Sequence, residues 1–459
     1  MARRYASDIP LAPPTVRHAD VVPAVEDRSY LGYVASALAI ALLGGFVLAV
    51  LLPLIITGVL PGEDHVPQLT QAHGWAQLQG WAGLFVAGMA MRLIPRFAGR
   101  PPLARRITMP ILVLLVFAVV VRTIVQPGPS GEFGDGMLIA AAISGALGIA
   151  AVACVLTVTL ALGRKRREAW RYFAWAGTAW WFTWAALTVP AAVRAVDHDR
   201  YTPFSLDDAL TWIVMLGAIA NFVWAVQGRS VPVFFGRGPL TVNRAIVPGV
   251  ALNLGVLLIA LSLFDLSDAA SSRLEGAGFV LAGLGIAWLA PVAGAVYGTA
   301  HRLRPRARRA SSFVLAANIT TLAGGVFLAW AGVLTLASGE FEAFGLRDAA
   351  RHAFGLGMIT LLIVGMAQLV APIFALERAE ARDARFSERA PLWLFVSAAA
   401  LRILAGLFSA QLGTDNRMHL AATAGVLAWL GLVLFAFTVV RAVLAETKNK
   451  ALLGIPPKQ

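Results

Sequence analysis

Cysteine is almost missing from this chain: Cys154 is the only one in 459 residues. No disulfide framework, CxxC pair or iron–sulfur ligand set can be assembled from it. Charge is scarce as well. Charged residues make up 14%, where a soluble domain carries about a quarter, so too little polar material exists to cover a water-facing surface. Lysine accounts for only 4 of the 38 basic residues. No acidic residue stands deep in an apolar run, so no buried carboxylate of the proton-relaying kind is expected. The first 29 residues are polar, with Arg3, Arg4, Arg17, Arg28 and four prolines, and lack the apolar core of a signal peptide.

What remains is hydrophobic: 58% of the residues, with a mean hydropathy of +0.73. Apolar runs fall at 31–58, 73–95, 108–126, 137–162, 172–195, 208–228, 245–264, 276–299, 311–336, 349–376, 391–410 and 418–442. Each is long enough to cross a hydrocarbon core of about 30 Å. The expectation is an all-α, polytopic membrane bundle of about twelve helices spanning 31–442, flanked by cytoplasmic tails at 1–30 and 443–459.

The net charge of +13 does not point to nucleic acid, because its distribution follows the loops. The N-terminal tail, the even-numbered connections and the C-terminal tail hold 30 of the 38 Lys and Arg. The other side carries acidic loops such as GEDH, GEFGDG and VDHDR. Positive loops stay inside, so both termini are expected in the cytoplasm of a bacterial-type inner membrane, with the lipid bilayer as the principal partner. No soluble domain or sequence repeat is evident, so any chemistry must lie in the bundle or at its rim.

Of seven histidines, His18 and His301 lie in inner polar segments, and His65 and His198 in outer loops. The other three stand near helix beginnings: His73 in QAHGWAQLQGW, His352 in RHAFGLGM and His419 in RMHLAATAG. Runs 2, 10 and 12 all pass from outside to inside, which puts the three imidazoles at a similar depth near the outer face. Neutral imidazole is the commonest metal ligand and a frequent axial ligand to haem, whereas a lone interfacial histidine needs no ligand at all. Gly80 follows His73 by seven residues, and Gly355 follows His352 by three. Small residues beside a ring leave room for a flat macrocycle, though they also serve plain helix packing. Arg402 sits mid-run in AAALRILAGLF, and Arg122 and Arg351 lie near outer helix ends. Such cations suit haem propionates, and snorkelling explains the last two equally well. Asn221, Gln227, Asn253, Asn318 and Gln368 are expected to form hydrogen bonds between helices.

Several segments together resemble the NnrS family, multi-pass membrane proteins associated with haem, copper and the response to nitric oxide. AHGWAQLQGWAGLFVAGMAMRLIPRFAGRP is similar to that family's His-bearing second segment, and WAVQGRSVPVFFGRG to its Gly-Arg-x-x-Pro-Phe-Phe element. ARHAFGLGMITLLIVGMAQLV and ALRILAGL resemble its His-Ala-x-x-x-Gly-x-Met and Leu-Arg-x-Leu-Ala pieces. The resemblance implies a haem b held by His73 and His352, with Arg229 and Arg402 at the family's other marked positions; His419 is a further candidate metal ligand from its depth alone. It also implies departures. The family's His-x-His reads Gln71-Ala72-His73 here, which leaves a copper site incomplete. A more distant likeness is to the catalytic subunit of haem-copper oxidases, with twelve spans and haem ligands on spans 2 and 10. Spans 6 and 7 hold no His, so oxygen reduction is not expected. The rival expectation is a twelve-helix secondary transporter; a structural subunit of a respiratory complex is a third.

Overall fold

The structure is a computed structural model that describes residues 28–129, 131–164, 167–235, 238–264, 267–293, 305–338, 343–374 and 386–452. The expected N-terminal tail, the end of the C-terminal tail, His18 and His301 lie outside the described residues.

The described residues form twelve long helical segments: α1 (Ser29–Ile56), α2 (66–97), α3 (Arg105–Val125), α4 (Glu132–Leu162), α5 (Ala169–Val196), α6 (Phe204–Val233), α7 (Val242–Leu261), α8 (Asp268–Val292), α9 (Ala310–Ser338), α10 (Phe344–Leu369), α11 (Glu388–Leu407) and α12 (Ser409–Ala445). Ten of these are long and apolar enough to cross a membrane. The other two, α2 and α5, have the length but a different composition. α2 carries Gln68, Gln71, His73, Gln77 and Gln79, and α5 is rich in tryptophan, a residue of interfaces and polar contacts.

Helix order around the bundle follows a simple rule. The outer helices α1, α3, α4, α5, α7, α8, α9, α11 and α12 each pack on the next, and α12 closes the ring against α1. Inside it stand α2, α6 and α10. The best apolar windows of α6 and α10 are 83% and 72% buried, against 28% for α1 and α12, and residues 79–88 of α2 are all buried. Each inner helix is therefore the second of a set of four, a threefold arrangement that leaves no trace as a sequence repeat.

The inner helices share a local distortion. Wide π-helical turns occupy Ala76–Gly83 in α2, Ile213–Ile219 in α6 and Ala353–Thr360 in α10, with a fourth at Ala41–Gly45 in α1. Such turns are rare and concentrate at functional sites. Trp81 Nε1 donates to Thr360 Oγ1 at 3.0 Å and ties the turn of α2 to that of α10. On the far side, glycines let α7, α8 and α9 approach closely: a Cβ on Gly278 would meet the Gly255 carbonyl at 2.7 Å, and one on Gly325 the Gly283 carbonyl at 2.6 Å. Small residues of this kind take the place of hydrophobic burial as the means of helix association in lipid.

Candidate functional site

The N-terminal ends of α2 and α10 run beyond their apolar stretches, and this places the histidines. α2 begins at Val66 and α10 at Phe344. His73 and His352 thus lie seven and eight residues inside, roughly 10–12 Å below the helix starts at 1.5 Å per residue. Each is followed within three residues by the π-helical turn of its helix. His73 lies in the electrostatic field of His352, Asp348 and Arg402, so the structure brings these four side chains into one neighbourhood where α2, α10 and α11 meet.

Both imidazoles are held in the same tautomer. His73 Nδ1 lies 2.9 Å from the Gly45 carbonyl oxygen, and His352 Nδ1 lies 2.8 Å from the Asp348 carbonyl oxygen. A carbonyl only accepts, so each Nδ1 carries the proton and each Nε2 keeps its lone pair. A metal-ligating histidine has this form, its second nitrogen donating to a carbonyl or carboxylate. Gly45 ends the π-helical turn of α1. A Cβ there would press on Gln77 of α2 at 3.1 Å, so glycine is what lets the two helices close and the carbonyl reach His73.

Asp348 does more than lend its carbonyl. Its Oδ1 is 3.4 Å from His352 Nδ1, and its carboxylate receives Arg402 at two points, Nη1 to Oδ2 at 3.0 Å and Nη2 to Oδ1 at 3.3 Å. Arg402, expected from its depth to serve an external anion, is therefore engaged by a carboxylate of its own chain. A Cβ on Gly355, one turn from His352, would meet nothing within 4 Å, whereas one on Gly80 would collide with Ile40 Cγ2, so Gly80 serves helix packing and leaves no room beside His73. The two imidazoles, each with Nδ1 on a carbonyl and Nε2 as the remaining donor, are the residues that would hold a haem.

The remaining site residues lie elsewhere. His419 is exposed, and its carbonyl accepts the Thr423 hydroxyl at 2.9 Å. Arg229 is near the inner end of α6, in an ion pair with Glu168 and with its guanidinium 4.7 Å from the centre of the Phe97 ring. Among the described residues, no group of three or more His, Cys, Asp and Glu is disposed to hold a metal ion. Of the amides, Asn221 and Asn253 join α6 to α7 at 3.0 Å, and Gln227 donates to Asn318 at 3.2 Å, joining α6 to α9. Gln368 shows no such bond.

One expectation fails. Buried carboxylates are present: Asp208 and Glu275 are each 3% exposed. Asp208 pairs with Arg347 at 3.1 Å and with Arg351, and Glu275 lies 3.5 Å from Arg347. They escape a reading of apolar runs because Asp208 is the first residue of its run and Glu275 stands one residue before the run that begins at 276, where arginines of α10 neutralise them. Arg122 is likewise no snorkelling residue. It is 2% exposed, and its guanidinium stacks 3.4 Å from the centre of the Trp75 ring, with Nε donating to Gln126 at 2.9 Å.

Against known proteins, the family model described as NnrS protein matches residues 34–446. No curated protein matches the chain.

Proposed function

Because the chain belongs to the NnrS family, we propose that it is a bacterial inner-membrane haem protein of the nitric oxide response, with one b-type haem between His73 and His352. The observation that carries this reading is the matched tautomer of the two rings, each with Nδ1–H on a backbone carbonyl, which leaves Nε2 as the nitrogen able to ligate. The family's association with haem and nitric oxide supplies the identity of the group. When bound, the haem supplies a one-electron redox centre and an iron to which a diatomic gas binds.

The protein's own part is positional. Gly45 and Asp348 orient the rings, and Gly355 leaves room beside His352. The tie from Trp81 to Thr360 fixes the spacing of α2 and α10 below them. Copper belongs to the family's associations rather than to this donor set, because Gln71 replaces a histidine and Gln71 is committed to the Thr202 carbonyl at 2.6 Å. His419 would act, if at all, as a rim ligand.

The carrier reading gains Asp208 and Glu275, but both face arginines, which suits a structural clasp better than a proton relay. The test is an oxidised-minus-reduced absorption spectrum of the protein purified from haem-sufficient cells. Wild type and His419→Ala are expected to show b-type bands, and the double variant His73→Ala/His352→Ala none. A colourless wild type ends the haem reading and promotes the carrier.

A further inference from the structure

The two rings are not equivalently held. His73 leans on a neutral backbone carbonyl at 2.9 Å. His352 has a carbonyl at 2.8 Å and, in addition, a carboxylate oxygen at 3.4 Å from the same Nδ1. That carboxylate cannot swing away, because Arg402 grips both of its oxygens from α11. Asp348 is 14% exposed and Arg402 22%, so water screens the pair only partly. Arg417, at the start of α12, adds a second cation in the field of Asp348.

A carboxylate beside Nδ1–H draws the proton toward itself and raises the electron density at Nε2, which makes the imidazole a stronger ligand. A backbone carbonyl does so far less. Resting on the haem reading above, we propose that Asp348 and Arg402 are a positioning pair that makes His352 the firm axial ligand and leaves His73 as the ligand that yields to an incoming gas. In that role His73 would give up its Nε2 lone-pair bond to a lone pair of the gas, with no proton or electron transferred. The asymmetry removes the difficulty of a bis-histidine site having no open position. His352 also has its clamp within its own turn and the next helix.

The experiment uses the full-length protein with its haem, and reads midpoint potential and haem content. The carboxylate favours the oxidised iron, so Asp348→Asn shifts the potential upward. Arg402→Gln exposes that carboxylate uncompensated and shifts it downward. The two shifts must have opposite signs, and variants that move the potential the same way overturn the proposal; the haem retention of the two histidine variants separates a role through His352 from the field of the charges alone. Asp348→Glu and Arg402→Lys, which keep the charges, are expected to show smaller shifts in the same two directions and serve if the first variants fail to fold. His73→Ala should retain several-fold more haem than His352→Ala; equal or reversed retention also overturns the proposal. A colourless wild type would instead count against the haem reading itself.

Discussion

At the scale of single residues, the outer end of the bundle is held by charges that share one another. Asp208 serves both Arg347 and Arg351, and Glu275 also faces Arg347. Removing one member leaves a buried charge unpaired, which costs about 3–5 kcal/mol. Asp208→Asn is therefore expected to lower the thermal unfolding temperature of the detergent-solubilised protein markedly, whereas Asp135→Asn should lower it less, because Arg200, though 4% exposed, keeps the carbonyls of Val125, Pro129 and Gly131 as acceptors. Equal effects of the two, measured by thermal melting, would contradict the assignment of Asp208 as a keystone. The histidines were legible in the sequence because a polar ring in an apolar run is conspicuous. Asp348 was not, since it lies one residue before the run that begins at 349. The Gly45 carbonyl could not be seen at all, because a backbone acceptor leaves no mark in residue identity.

At the scale of the helix, the histidine depth and the π-helical turns belong together. A turn that widens from Ala76 onward rotates the remainder of α2 relative to His73, and the same happens in α10 beyond His352. Apolar periodicity predicts that these segments are helices but says nothing of an added residue per turn, so the distortions were hidden. The helix starts were also misjudged, at 73 and 349 instead of Val66 and Phe344, because their first turns are polar and neutralised by neighbours. Close packing at the other side of the bundle gives a sharp expectation. Gly325→Val inserts a branched side chain where a bare Cβ already meets the Gly283 carbonyl at 2.6 Å. This variant should lose its monodisperse peak in size-exclusion chromatography. Gly355→Ala, which enters open space, should keep the peak and lower the haem content instead.

At the scale of the whole molecule, the twelve-helix plan was readable from run length, and loop charge supplies an expectation for its orientation. The ring of nine around α2, α6 and α10 was not, because contacts between helices distant in the chain depend on which faces meet. Topology remains directly testable: reporter fusions after Arg106 and Arg167 should read cytoplasmic, and fusions at Asp135 and Glu340 should read external. An inverted pair would mean a miscounted crossing. The central claim, that His73 and His352 converge on one iron, is tested most directly by electron paramagnetic resonance of the oxidised, purified protein. The account predicts the low-spin ferric signal of an iron held by two imidazoles, lost when both histidines are replaced. A high-spin ferric signal in the wild type, or no haem signal, would contradict it.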